Sequence, residues 1–133
     1  STRGGRVVDL KAIRTAEIYL IRAEANAELN KLGEAAADLN FLRSKRIAGY
    51  VNENFADKNT LIDAILTERF KELAFEGFRF FDLRRRELPL QRAASDVDSP
   101  LWQGLAAGSS RFTFPIPVSE LLANPNMVQN PGY

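Results

Sequence analysis

Residues 11–30 read KAIRTAEIYLIRAEANAELN, a run without Gly or Pro and dense in Ala, Leu, Glu and Arg. These residues lose least on entering a helix, so the run predicts a helix over its whole length. At 100° per residue, Ile13, Ala16, Leu20, Ala23 and Ala27 fall on one side, and Ile18, Ile21, Ala25 and Leu29 fall on another. A helix apolar on two sides is expected to pack on two sides, as in the interior of a helical stack. Its many alanines suit close helix–helix approach. Glu17 and Glu24 lie in the seam between the two faces.

Asn30-Lys31-Leu32-Gly33 is expected to stop this helix, with Gly33 at the turn. A second helix over 34–47, EAAADLNFLRSKRI, follows at once, and so short a connection makes the two antiparallel. The pair spans about 34 residues, the length of one tetratricopeptide unit. Ala25, Ala37, Phe41 and Ser44 stand near that motif's spacing, although its Trp and Tyr positions are missing. Residues 48–58 form a polar loop. Asn59 or Thr60 is placed to cap a third helix running to about Glu76, with Ile62, Leu66, Phe70 and Leu73 as its face and Leu61 and Ile65 beside it. Gly77 ends or bends that helix, and FRFFDLRRR (78–86) reads as a short amphipathic helix.

Residues 89–110 carry Pro, Ser, Asp and Gly without periodicity and read as a long surface excursion. Residues 111–117, RFTFPIP, are extended, because each Pro pushes its predecessor out of the helical region. Pro117 or Ser119 starts a short helix through Leu122, and the tail NPNMVQNPGY is irregular. The expected fold is all-α: tetratricopeptide-like helical hairpins with additional helices, long loops and an irregular C-terminal tail.

Composition narrows the chemistry. A chain of 133 residues with 45% hydrophobic content is enough for one core. The 26% of charged residues nearly cancel to +1, which gives no ground for nucleic acid or an anionic bilayer as main partner. Cys is absent, so there is no disulfide, thiolate nucleophile or cysteine metal site. His is absent too, which removes the commonest general base and metal ligand. No metal site and no cofactor is expected. No apolar run reaches the roughly 18 residues that a bilayer span needs. The opening, Ser1-Thr2-Arg3-Gly4-Gly5, reads as a cut in a longer protein, and Asn130-Pro131-Gly132-Tyr133 reads as a natural end.

Some charges fall where apolar residues belong. Arg69 lies between Ile65 and Leu73, inside the face of the third helix. A buried guanidinium without a partner costs several kcal/mol, so Arg69 is expected to meet Glu17 and Glu24 across the interface, with Glu72 one turn away. The alternative for Glu17 and Glu24 is sugar hydrolysis. Seven residues separate them, about 10.5 Å of helical rise, beyond the about 5–9.5 Å between the two acids of a glycosidase. A structural role is preferred, and no catalytic residue is assigned. Arg84-Arg85-Arg86, with Arg79 and Arg92, resembles a phosphate patch, but Glu68, Glu72, Glu76, Asp82 and Glu87 interleave with it, so an ion-paired surface is expected. Trp102 and Tyr50, both in loops, are the candidates for stacking on a sugar ring.

Three segments taken in order carry a resemblance: RTAEIYLIRAEA (14–25), ILTERFKELAFEGFRFFDL (65–83), and FPIPVSE (114–120) closing with NPNMVQNPGY (124–133). Together they closely resemble the C-terminal region of the SusD/RagB family, over most of residues 14–133. The resemblance implies that residues 1–133 are the C-terminal domain of a mostly helical, tetratricopeptide-like protein. It implies an outward-facing outer-membrane lipoprotein, whose lipid-bearing Cys lies in an N-terminal part. It further implies a SusC-like TonB-dependent transporter as partner and an oligosaccharide or polysaccharide, sometimes peptide, as cargo. The family's sugar-contacting positions are not fixed by these motifs. Glu17, Glu24, Glu68, Arg69, Glu72, Glu76, Arg79 and Asp82 are therefore assigned to the helix framework.

Overall fold

The structure is a computed structural model that describes residues 13–100 and 103–133. The chain divides after Glu76 into two compact units.

The first unit holds α1 (Thr15–Glu28), α2 (Leu32–Ser44) and α3 (Lys58–Glu72). Their side-chain pairs fix the directions. Tyr19 stacks on Phe41 and Arg22 binds Asp38, so partner numbers fall along α2 as they rise along α1. Glu28 pairs with Lys58 and Arg14 with Glu72, so α3 is also antiparallel to α1. Arg43 pairs with Glu68 and Arg46 with Glu72, which makes α3 parallel to α2 and its following turn. Leu20, Leu39, Leu61 and Ile65 are fully buried where the three helices meet. Each such side chain contributes about 1.5–3 kcal/mol on leaving water. Ala16, Ala23, Ala27 and Ala35 are buried beside them and keep the helices close.

Only one apolar side of α1 is covered. Ala16, Leu20, Ala23 and Ala27 are buried, whereas Ile18, Ile21 and Leu29 are 50%, 48% and 68% exposed. The expectation of packing on both sides fails here because α2 and α3 both lie against the first face. The first turn differs as well. Asn30, not Gly33, takes the left-handed conformation (φ 59°), and Lys31 N–H donates to the Asn26 carbonyl at 2.8 Å. This is a Schellman closure with Asn in the left-handed position, which Asn tolerates because its short amide bonds locally. Gly33 falls inside the first turn of α2.

Asp57 caps α3, in place of the expected Asn59 or Thr60. Its carboxylate accepts from the Thr60 N–H at 2.9 Å, and a carboxylate complements the helix dipole there. The helix stops at Glu72, before the expected Glu76, and Phe75 (φ 65°) is left-handed in the following turn. Phe70, expected on the apolar face, is 54% exposed; it stands at the edge of the arc defined by Leu61, Ile62, Ile65 and Leu66.

The second unit begins with α4 (Phe78–Arg85), entered through left-handed Gly77 (φ 82°). The excursion after it is closed by a two-residue antiparallel pair, β1 (Leu90–Gln91) and β2 (Gly104–Leu105), with Leu90 opposite Leu105. Gly104 is required there, since a Cβ would stand 2.4 Å from the Leu90 carbonyl oxygen. Ser110–Phe112 is a 3-10 turn, so the extended segment starts at Thr113; α5 (Val118–Ala123) follows Pro117. Phe80 packs on Phe112 and Phe114, both at 5.8 Å between ring centres, and meets Phe81 edge-on. The irregular tail is tied down by side chains. The Gln129 amide brackets the Ile116 backbone N–H and C=O at 2.8 and 2.9 Å, Asn130 donates to the Phe114 carbonyl at 2.7 Å, and Tyr133 O–H donates to Thr113 at 2.9 Å.

Candidate functional site

The framework acids divide according to what reaches them. On α3, Glu68 and Glu72 are one turn apart and share a face, while Arg43 in the last turn of α2 and Arg46 in the turn that follows are three apart. The two parallel rows mesh. Arg43 Nε donates to Glu68 at 2.8 Å, and both groups are buried. Arg46 grips Glu72 through Nε and Nη2, both at 2.8 Å, and Arg14 donates to the same carboxylate at 3.2 Å. Arg14 also binds Glu76, at 2.8 Å. Burial by itself would lower the Arg43 pKa; the hydrogen bonds Arg43 makes to Glu68 and Tyr50 and the charges of Glu68 and Glu53 outweigh it, so the net shift is upward. The Arg46 hydrogen bond, helped by the charges of Arg46 and Arg14, holds the Glu72 carboxyl below the ordinary glutamate value against its burial.

Arg43, Arg46, Glu68 and Glu72 line a cleft of about 420 Å³ with Ile47, Glu53 and Lys71. Chemically it is a hydrogen-bonding surface of alternating guanidinium and carboxylate groups. A carboxyl that stays ionised holds no proton to give a leaving group, so Glu72 does not suit general acid catalysis. Among the described residues no group of three potential ligands is arranged to hold a metal.

The remaining assigned residues are placed as follows. Arg69 and Glu24 are buried and both have interaction partners, and Glu17 is half-buried. Asp82 is buried and accepts two bonds from Arg85, at 2.8 and 3.0 Å; Arg79 is exposed. Tyr50 is half-buried, and its hydroxyl donates to Asn40 Oδ1 at 2.6 Å. Asn40 in turn bonds the backbone of Glu53 through both ends of its amide, at 2.9 and 3.0 Å, so Tyr50 helps to latch the 48–57 loop. Trp102 lies outside the described residues.

Another aromatic pair was not singled out from sequence. Tyr19 and Phe41 stack at 4.8 Å, with Arg22 over Tyr19 and Lys45 over Phe41, each at 5.1 Å. Both outer ring faces are thus covered by cations, and the stack joins α1 to α2 without offering a free platform. Sequence reasoning also missed Arg14, Arg43 and Arg46 as the cations that hold Glu68, Glu72 and Glu76. The signal was present in the i, i+4 acids of α3 and the basic end of α2, but it required the parallel register of the two elements. The second unit has its own small cleft, about 220 Å³, lined by Arg84, Glu87, Ser109, Ser110, Thr113 and the apolar floor of Leu83 and Phe112.

Comparison with known proteins places this arrangement. Starch-binding protein SusD of Bacteroides thetaiotaomicron is 35% identical over 126 residues, covering 94% of this chain and 22% of its own length. SusD-like protein P38 of Formosa agariphila is 35% identical over 127 residues, covering 90% of this chain and 24% of its own. A crystal structure of a putative sugar binding protein from Bacteroides vulgatus superposes with a TM-score of 0.76 at 30% identity, over 99% of this chain and 31% of that one. The chain therefore spans about a quarter of the length of the curated relatives it matches. The sequence profile of the SusD family matches residues 1–133, both the α1–α2–α3 unit and the Phe-centred unit that follows it in sequence, and the chain belongs to that family.

Proposed function

We propose that the SusD-family protein to which these residues belong binds a glycan without altering it, at the outward face of the outer membrane, and passes it to a SusC-like TonB-dependent transporter. The 133 residues serve as helical framework in that protein, and anchoring is by a lipid on a part outside them. The observation that carries the reading is the family match over the full chain, with starch-binding protein SusD among the relatives at 35% identity. The ion pairs support it from the physical side. Glu68 and Glu72, two acids of one cleft, are each held by an arginine, and Glu72 is kept ionised. Among the described residues no helix is long and apolar enough to cross a membrane.

Affinity in such a protein comes from aromatic stacking and hydrogen bonds in a site built largely by loops. The test is calorimetric titration of this chain and of the family-length protein with a panel of plant and host glycans, and with peptides. The family-length protein is expected to bind a glycan, and the 133 residues to bind weakly or not at all. Tight binding by the 133 residues alone would move the site into this chain. Binding of peptide but no glycan by the longer protein would overturn the cargo assignment.

A further inference from the structure

The cleft of the second unit holds a strained charged residue. Glu87 takes a left-handed conformation (φ 51°) just after α4. The Leu88 N–H donates to the Leu83 carbonyl at 2.8 Å and the Glu87 N–H to the Arg84 carbonyl at 3.2 Å, a Schellman closure with Glu87 at its left-handed position. Glycine takes that position without steric cost, whereas a glutamate there brings its Cβ too close to the following carbonyl. The side chain so placed lines the cleft of about 220 Å³ together with Arg84. Neither has an ion-pair partner among the described residues. Strain kept at one residue of a cleft points to a task for its side chain.

The other polar groups of the cleft are hydroxyls. Ser109 Oγ accepts from the Arg111 N–H at 3.3 Å within its own turn, while the Ser110 and Thr113 hydroxyls engage no partner among the described residues. The backbone that carries them is held in place. Tyr133 O–H donates to the Thr113 carbonyl at 2.9 Å, and Phe112 is buried against Phe80 at 5.8 Å between ring centres. A wall fixed in advance spares a ligand the cost of ordering it.

We infer that this cleft is a subsite for one neutral sugar ring. Its two charges cancel, so a simple anion is repelled by Glu87 and a simple cation by Arg84. A zwitterion would satisfy both charges and leave the Ser110 and Thr113 hydroxyls unused. Each hydroxyl of a sugar both donates and accepts, so neighbouring ones donate to the Glu87 carboxylate and accept from the Arg84 guanidinium. The C–H face of the ring suits the apolar floor of Leu83 and Phe112. The volume, about 220 Å³, is below the about 300–1,000 Å³ of pockets for larger ligands, and suits one ring rather than a buried chain. The inference rests on the chemistry of this cleft. A weak subsite here agrees with the weak binding expected of these residues, and its failure would leave the calorimetric test of the longer protein untouched.

The test places 4-fluorophenylalanine at position 112 of the family-length protein, and at position 41 in a parallel sample, and follows the fluorine resonance by NMR. Methyl α-glucopyranoside, methyl β-galactopyranoside and methyl α-mannopyranoside are titrated to about 100 mM, with inorganic phosphate and glycine as charged controls. At least one glycoside is expected to shift the resonance at position 112, with half-saturation on the order of 1–10 mM, and to leave position 41 unmoved. Glu87→Gly and Arg84→Met are each expected to weaken that response at least about tenfold, the loss for one hydrogen bond to a charged group. Glu87→Gly is also expected to keep or raise the urea midpoint, because glycine relieves the left-handed strain. No shift with any of the three glycosides overturns the inference. So does a stronger response to phosphate or glycine, which would make the cleft an anion or amino-acid site. An unchanged response in Glu87→Gly overturns it as well, as does a lowered urea midpoint in that variant, which would assign Glu87 to the fold alone.

Discussion

Each of the two units of this chain is stabilised internally, and by different means. In residues 13–76, three helices meet over Leu, Ile and Ala, and the charges that intrude on the packing are matched helix to helix: Arg43 with Glu68, Arg46 and Arg14 with Glu72. In residues 77–133, regular structure is sparse, and Phe80 gathers Phe112 and Phe114 while Gln129, Asn130 and Tyr133 clamp the backbone of residues 113–116. The first arrangement makes strength depend on partners remaining in pairs. The second makes it depend on single side chains, each replaceable at a local cost.

The largest effect is expected from breaking a pair in the first unit. Arg43→Met leaves the Glu68 carboxylate buried without its partner, at a cost of about 3–5 kcal/mol. Urea unfolding followed by helical circular dichroism reads that loss. Adding Glu68→Leu is expected to recover most of it, and a double variant no better than the single one would show the pair to be incidental. In the second unit, Phe112→Ala empties a buried ring site and costs about 3 kcal/mol. Hydrogen exchange should accelerate across residues 78–116 and leave α1–α3 unchanged; acceleration throughout would erase the distinction between the units. Gln129→Ala removes two bonds to Ile116, worth about 1 kcal/mol each. Its signature is faster exchange of the Ile116 amide, without loss of helix.

The smallest effect is a pH dependence confined to the first unit. The folded-state pKa of Glu72 is lowered, so the stability it adds is present above the ordinary glutamate value, about 4.3, and is lost as pH falls through the lower folded value. Comparing wild type with Glu72→Gln from pH 6 down to pH 3 by urea unfolding should show the wild type losing its advantage below about pH 4.3. A constant difference across that range would contradict the Arg46–Glu72 assignment.

The contrast also explains what the sequence discloses. α1 and α3 were legible because an apolar stripe repeats at helical period, α2 because a helix-forming run follows so short a connection, and the family motifs at 14–25, 65–83, 114–120 and 124–133 made the architecture readable as a whole. Their ends were less so. Asn30 replaced Gly33 at the left-handed position, and Asp57 replaced Asn59 or Thr60 as cap, because several residues in each turn meet the local requirement and the final geometry selects among them. Burial of Arg69 was readable from its place on the wheel, but the cations facing Glu68 and Glu72 depend on the register of two elements about 25 residues apart. The Gln129 clamp and the β1–β2 pair leave no periodic trace at all. For the site, sequence offered loop aromatics: Tyr50 is drawn into a loop latch by Asn40, and Trp102 lies outside the described residues.

Glu68→Gln and Glu72→Gln, each placed in the family-length protein, give the most direct test of whether these acids hold the fold or act on sugar. After incubation with a glycan that the protein binds, chromatography should recover it at full length from wild type and variants alike, with affinity unchanged and only unfolding stability reduced. Shortened saccharide released by the wild type and lost in either variant would contradict the account.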